Sequence, residues 1–335
     1  MRTPFKHVKK KNNLFECLPD DLVVFILSKL SSTASSPSEF INTVLTCKRL
    51  NQLGLHRLVL SKAGPKVFAV KPKNWSEKAH AFLRHCVSAG NVDACYTLGM
   101  IRFYCLGNRG SGLSLMAKAA MKLHAPALYS LAVVQFNGSG GSKHDKDLRA
   151  GVALSARASL LGHIDALREL GHCLQDGYGV RQNVAEGRRM LVQANVRELA
   201  YVLREVTPSA SDSLLLTWRT MTCQRDITAC PLLSEYGYRV PVPEVQPVNC
   251  FMREWFESGK GKLEKGLRLC SHIGCGRPET RPHEFRRCSV CGKVNYCSRG
   301  CQAMDWKLKH KMECSPTEPY GVDLENEFVI PNDAV

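Results

Sequence analysis

Eight residues in the last quarter of the sequence have the chemistry of metal ligands: Cys270, Cys275, Cys288, Cys291, Cys297, Cys301, His310 and Cys314. They fall into four pairs. Four residues separate Cys270 from Cys275, and two separate Cys288 from Cys291. Three separate Cys297 from Cys301, and three separate His310 from Cys314. The last two pairs stand at i, i+4, so a helix would present both members on one side. Thiolates and imidazole are zinc ligands, and eight of them satisfy two closed tetrahedral sites. No coordination position is left for a substrate, so the expected metal is structural: two Zn²⁺ per chain. A stretch this short cannot bury a stable core by itself. Zinc binding, worth roughly 10–16 kcal/mol per structural site, supplies the folding energy instead. Spacing alone leaves open which pairs share a metal. His272 and His283 are spare, expected in solvent or as outer hydrogen-bond partners.

The elements around these pairs read as helical. "PVNCFMREWFESG" is an amphipathic helix opened by Pro247 and closed by Gly259. Its Phe251, Trp255 and Phe256 are expected against the ligand segment or the last repeat. Upstream, three blocks recur: "AGNVDACYTLG", "KLHAPALYSLA" and "LGHIDALRELG". Their alanines, Ala94, Ala127 and Ala166, are followed by Leu98, Leu131 and Leu170, and later by Gly107, Gly138 and Gly177. Spacings of this size mean stacked helical hairpins. Small residues let paired helices approach closely, and each later glycine ends a helix. Such an array is expected to offer its concave surface to other proteins and to hold no catalytic residue. Earlier still, "LPDDLVVFILSKL" and "EFINTVLTCKRLNQLG" are amphipathic and are separated by the loop "SSTASSPS". By periodicity alone they form a helical hairpin.

The chain has 335 residues and a formal charge of +16, enough for two or three domains. No apolar run approaches the ~18 residues of a spanning helix, so no membrane is expected. Nine of the sixteen cysteines lie scattered in apolar stretches, which suits a reducing compartment, nucleus or cytoplasm, better than a disulfide framework. The basic charge invites nucleic acid, but zinc weakens that reading. From 260 to 314 there are 13 Lys/Arg against 5 Asp/Glu. Seven thiolates and two Zn²⁺ would reduce that local excess to about +5. Nucleic acid is therefore an unlikely partner.

Three resemblances sharpen this reading. "LPDDLVVFILSKL" with "INTVLTCKRLNQLG" resembles an F-box, a small helical module that docks on a Skp-type adaptor of cullin ubiquitin ligases. The resemblance makes Leu18, Pro19, Leu22, Ile26, Leu27, Leu30, Val44, Cys47 and Leu50 its adaptor-facing or core positions. The repeats resemble Sel-one-like repeats, relatives of the tetratricopeptide repeat. "LGHCLQDGYGVRQNVAEGRRMLVQA" is the nearest match. "CSVCGKVNYCSRGCQAMDWKLKHKMEC" resembles a MYND zinc finger. In that family the sites interleave, which implies Cys270, Cys275, Cys297 and Cys301 on one zinc and Cys288, Cys291, His310 and Cys314 on the other. It also implies Tyr296, Gln302 and Trp306 as exposed peptide-contacting residues. The histidine in the last pair separates the motif from a RING finger.

The expected fold is mainly α. It comprises an F-box at 14–60, a short α-solenoid at 75–200, a linker with one helix at 201–266, the finger at 270–314 and an acidic tail at 315–335. The order looks like a plant family of F-box proteins. It implies a non-catalytic subunit of an SCF-type ligase, with Skp and cullin partners and an unknown client. The alternative is a nuclear scaffold or transcriptional corepressor that uses the finger and the repeats for protein contacts without any ligase.

Overall fold

A computed structural model describes residues 17–206 and 245–316. The basic segment before residue 17, the prolines Pro231, Pro241 and Pro243, and the acidic tail from 317 lie outside the described residues.

Helix α1 (Asp20–Thr33) begins where expected. Pro19 occupies its N-cap position, and Asp20 and Asp21 lie in the first turn, where carboxylates favour the helix dipole. Val23, Val24 and Leu27 face the core, whereas Leu22, Phe25 and Ile26 face outward. The second arm of the expected hairpin is three short helices: α2 (Pro37–Leu45), α3 (Lys48–Gly54) and α4 (Arg57–Lys62). The first break falls at Cys47. Its backbone is extended and its Sγ accepts from Leu50 N at 3.4 Å, capping α3. His56 breaks the chain again by capping α4 through Nδ1. Ser31 ties the arms together, its Oγ donating to the Val59 carbonyl at 3.1 Å.

The repeats follow as α5 (Glu77–Ser88) and then three hairpins. α6 (Val92–Met100) runs into a wider π-type turn at Ile101–Cys105 and pairs with α7 (Arg109–Met121). α8 (Ala125–Asn137) pairs with α9 (Leu148–Leu160), and α10 (Ile164–Asp176) with α11 (Val184–Val206). The register read from the sequence holds. Ala94, Ala127 and Ala166 are wholly buried, and Gly138 and Gly177 end their helices with left-handed backbones. Close approach is real: a Cβ on Gly112 would stand 2.8 Å from the Gly99 carbonyl oxygen. Each hairpin opens with a side-chain cap three residues before its alanine. Asn91 Oδ1, His124 Nδ1 and His163 Nδ1 accept from the amides of Ala94, Ala127 and Ala166.

Asn91 also joins the first module to the repeats. Its amide donates to the carbonyls of Leu60 and Ala63 at 3.0 and 2.8 Å. One apolar core accordingly runs from Leu27 and Phe40 through Phe68 and Leu83 into Met100 and Tyr129.

Helix α12 (Pro247–Glu257) lies against the start of the array, not its last repeat. Phe251 meets Trp75 edge-on at 5.3 Å, and Lys260 Nζ donates to the carbonyls of Pro72 and Trp75. The other side of α12 holds the ligand segment, through Asn249 to the Gly274 carbonyl and Arg253 to the His272 carbonyl. That segment has a two-stranded antiparallel ribbon, β1 (Arg286–Arg287) and β2 (Asn295–Tyr296), with Arg286 opposite Tyr296. α13 (Arg299–Asp305) follows and continues through a wide turn to Glu313.

Candidate metal centre

The four pairs converge on two points. Cys270, Cys275, Cys297 and Cys301 form one group, and Cys288, Cys291, His310 and Cys314 the other, with the donor atoms of each within 4.8 Å of one another. Local backbone sets the positions. Cys297 ends the ribbon, Ser298 caps α13 by accepting from Cys301 N at 3.0 Å, and Cys301 lies in the first helical turn. The third pair therefore straddles a strand–helix junction and does not share one helix face. His310 and Cys314 do stand one turn apart, linked by a bond from Cys314 N to the His310 carbonyl at 2.8 Å. Cys288 and Cys291 sit in a tight turn closed by Gly292 N to the Cys288 carbonyl.

The donor geometry fits zinc. Four sulfurs at zinc–thiolate distance in a tetrahedron stand about 3.8 Å apart, and a sulfur and an imidazole nitrogen about 3.5 Å. The Cys275–Cys297 and Cys297–Cys301 sulfurs are 3.5 and 3.6 Å apart. The Cys288–Cys314 sulfurs are 3.8 Å apart, and Cys291 Sγ is 3.5 Å from His310 Nε2. The donors are those of a soft, closed, redox-inactive site, which holds structure and does no bond chemistry. His272 and His283 lie outside both groups.

The finger is docked on the repeats along the face formed by α6, α8 and α10. Where the finger lies on it, the array is covered by the chain's own residues, whereas the sequence led to the expectation of a surface open to other proteins. Tyr129 hydroxyl meets Ser298 Oγ at 3.3 Å, and Asn137 Nδ2 donates to the Cys297 carbonyl at 2.8 Å. Gly140 N donates to Thr280 Oγ1 at 2.7 Å, and Arg281 donates to the carbonyls of Asn137 and Gly138. Ser139 donates to buried Glu284. From α10, the Glu169 carboxylate accepts from Gly300 N at 2.7 Å and Arg299 N at 3.3 Å, the first amides of α13. Burial pushes the Glu169 carboxyl up, and those amide bonds pull against it. Arg299 bonds Asp176 at 2.7 Å and lies over the Tyr178 ring at 3.8 Å. Sequence reading missed Glu169, Arg277, Asn137 and Glu284. Of these only Glu169 carried a signal, a polar residue three places after each repeat alanine: Thr97, Ser130 and Glu169, all buried.

A groove of about 340 Å³ runs between α10 and the finger. His172 and Asp176 form one wall, and Val290, Gln302 and Trp306 line the other. Gln302 and Trp306 therefore line an open groove, and Trp306 is 40% exposed. Tyr296 does not. It is fully buried and donates to Asp305 Oδ2 at 2.7 Å, so it belongs to the finger's own small core.

In the first module, Pro19, Leu22, Ile26 and Cys47 are exposed, Leu18, Leu30, Val44 and Leu50 half-buried, and Leu27 buried. Arg49 pairs with Asp20 at 2.6 Å and donates to the Leu18 carbonyl, bringing the start of α3 to the start of α1. Among the described residues, no helix is long and apolar enough to cross a membrane.

Residues 65–171 match the family of plant tetratrico peptide repeats, and residues 270–314 match the MYND finger. Two F-box proteins of Arabidopsis thaliana are similar over most of the chain. One is 64% identical, covering 91% of this chain and 82% of the relative. The other is 62% identical, covering 93% and 88%. A solved Sel1 repeat protein from Oxalobacter formigenes matches 36% of this chain and 90% of its own at 20% identity, with a TM-score of 0.33. With its N-terminal helical module, three stacked hairpins and a two-centre finger, the chain belongs to the plant-type F-box proteins that carry Sel-one-like repeats and a C-terminal MYND zinc finger.

Proposed function

We propose that this chain is the client-recruiting, non-catalytic subunit of an SCF-type ubiquitin ligase, acting in the nucleus or cytoplasm. The observation that carries the reading is the outward face of α1. Leu22, Phe25 and Ile26 are 47%, 57% and 45% exposed, while their chain neighbours Val23, Val24 and Leu27 on the opposite side of the helix are buried. Apolar side chains grouped on one face mark a partner surface. A Skp-type adaptor covers that face, and a cullin joins through the adaptor. At the other end of the molecule, the groove beside Trp306 and Gln302 takes an extended client segment. The array between them serves as a support for the finger.

Because Leu22 and Ile26 are exposed, replacing both with Asp tests docking without disturbing the core. The double variant keeps its zinc and its melting temperature and loses capture by the Skp-type adaptors of its own organism. If the intact chain binds none of these adaptors at micromolar concentration, the ligase reading falls. Trp306→Ala keeps adaptor capture and loses client.

A further inference from the structure

The cluster of Cys270, Cys275, Cys297 and Cys301 is buried at the junction of the finger and the repeats. Beside it lies Arg277, a finger residue only 4% exposed. One terminal nitrogen stands 3.4 Å from Cys275 Sγ. The other donates to Ser130 Oγ of α8 at 2.9 Å. The guanidinium lies over the Tyr129 ring, 5.9 Å from its centre. Ser130 in turn meets the Tyr96 hydroxyl of α6 at 3.2 Å. Among the described residues no carboxylate pairs with Arg277.

A guanidinium taken out of water needs a counter-charge, or the fold bears a cost of several kcal/mol. A zinc ion held by four thiolates carries about −2 overall, which is a suitable partner at this distance. Hydrogen bonds to ligating sulfur also steady a thiolate site. The same side chain is thus bonded to the metal cluster at one end and to the repeat surface at the other. Among the described residues, no arginine bonds the second cluster to the repeats in this way, and its Cys314 is only half-buried.

We propose that Arg277 couples zinc in the four-cysteine site to the docking of the finger on the repeats, so that each stabilises the other. The surroundings of these four thiolates are completed by Arg277, which Ser130 and Tyr129 hold from a helix about 150 residues earlier in the chain. When the metal leaves, the four thiolates take up protons from solvent and become neutral thiols, so the guanidinium loses its counter-charge, and the cheapest relief is for the finger to leave α8. Linkage is reciprocal: whatever the metal contributes to docking, docking contributes to metal affinity. This inference does not depend on the ligase reading.

The full zinc-loaded chain tests it through two readouts, metal release to a chelator and hydrogen exchange at the amides of α8. Cobalt(II) in place of zinc separates the clusters, since four-thiolate and three-thiolate sites differ in absorption. Arg277→Met, which keeps the length and removes the charge, should weaken the four-cysteine site about 10- to 100-fold and leave the histidine-containing site unchanged. The α8 amides should lose protection in that variant and equally in the chelated wild type. Arg277→Lys, which keeps the charge without the fork, should recover part of the affinity. If Arg277→Met does not fold, Ser130→Ala carries the test, because it removes one bond on the repeat side and no charge. It should speed metal release from the four-cysteine site alone. Unchanged release in Ser130→Ala and Arg277→Met, or α8 protection that survives metal removal, overturns the proposal. So does an equal loss from both clusters.

Discussion

Tyr296 and Trp306 show how far single residues were legible. Both are aromatics of the finger, and sequence placed both in one peptide-contacting group. The structure separates them, because β2 turns Tyr296 inward onto Asp305 while the wide turn after α13 leaves Trp306 at the groove. Motif spacing fixes which residues approach a metal but not which side of a two-residue strand faces out. Tyr296→Phe is expected to cost about 1–3 kcal/mol in chemical denaturation, because Asp305 is left buried without its donor. Trp306→Ala should change stability by under about 1 kcal/mol. His163 gives a pH signature. Burial pushes its pKa below 6.5, with the nearby Asp165 opposing, and the neutral ring is what accepts from Ala166 N. The folded state thus binds fewer protons than the unfolded chain below pH 6.5. This contribution is complete above that pH and is lost as pH falls through the depressed folded value. His163→Asn keeps a cap of the kind Asn91 provides, so its stability should fall less steeply below pH 6.5. A slope equal to wild type, at constant zinc content, would count against this assignment.

Helices and repeats were the most legible elements, since apolar periodicity, small residues and terminal glycines all point one way. The register of the three hairpins was read correctly from Ala94, Ala127 and Ala166. The breaks at Cys47 and His56 were not, because neither residue is a strong cap by type and each acts through a local side-chain acceptor. The docked face was also missed. Ser130 and Glu169 look like surface residues until the finger covers them. Glu169→Ala tests the element-scale consequence: it strips the first amides of α13 of their acceptor. We expect about 1–3 kcal/mol of lost stability, faster exchange at Gly300 and Cys301, and repeat helicity unchanged by circular dichroism. Glu169→Gln, which keeps an acceptor, should lose less.

Over the whole molecule, sequence named the parts but not their contacts. F-box, repeats and finger were each recognisable, yet they share one core through Phe68, Leu83, Tyr129 and the four-cysteine cluster. Thermal unfolding of the zinc-loaded chain should therefore be one transition by both far-ultraviolet and aromatic signals; separate melting of the first module would refute a shared core. Asn91→Ala probes the joint. It removes a helix cap and two buried bonds to α4's end, for an expected cost of about 2–4 kcal/mol.

The docking face also bears on how such a protein evolves. Solenoids are modular because each unit meets only its neighbours, and that independence lets arrays lengthen and shorten. Here the three hairpins are not interchangeable. The first supports Ser130 through Tyr96, the second holds Arg277 and the Cys297 carbonyl, and the third caps α13. Deleting the second or the third hairpin would remove its own contacts with the finger, and an inserted hairpin would separate the two sets. Descendants of this chain can vary their loops and their outer helices, but the number of repeats is locked by the metal-bound segment that lies across them.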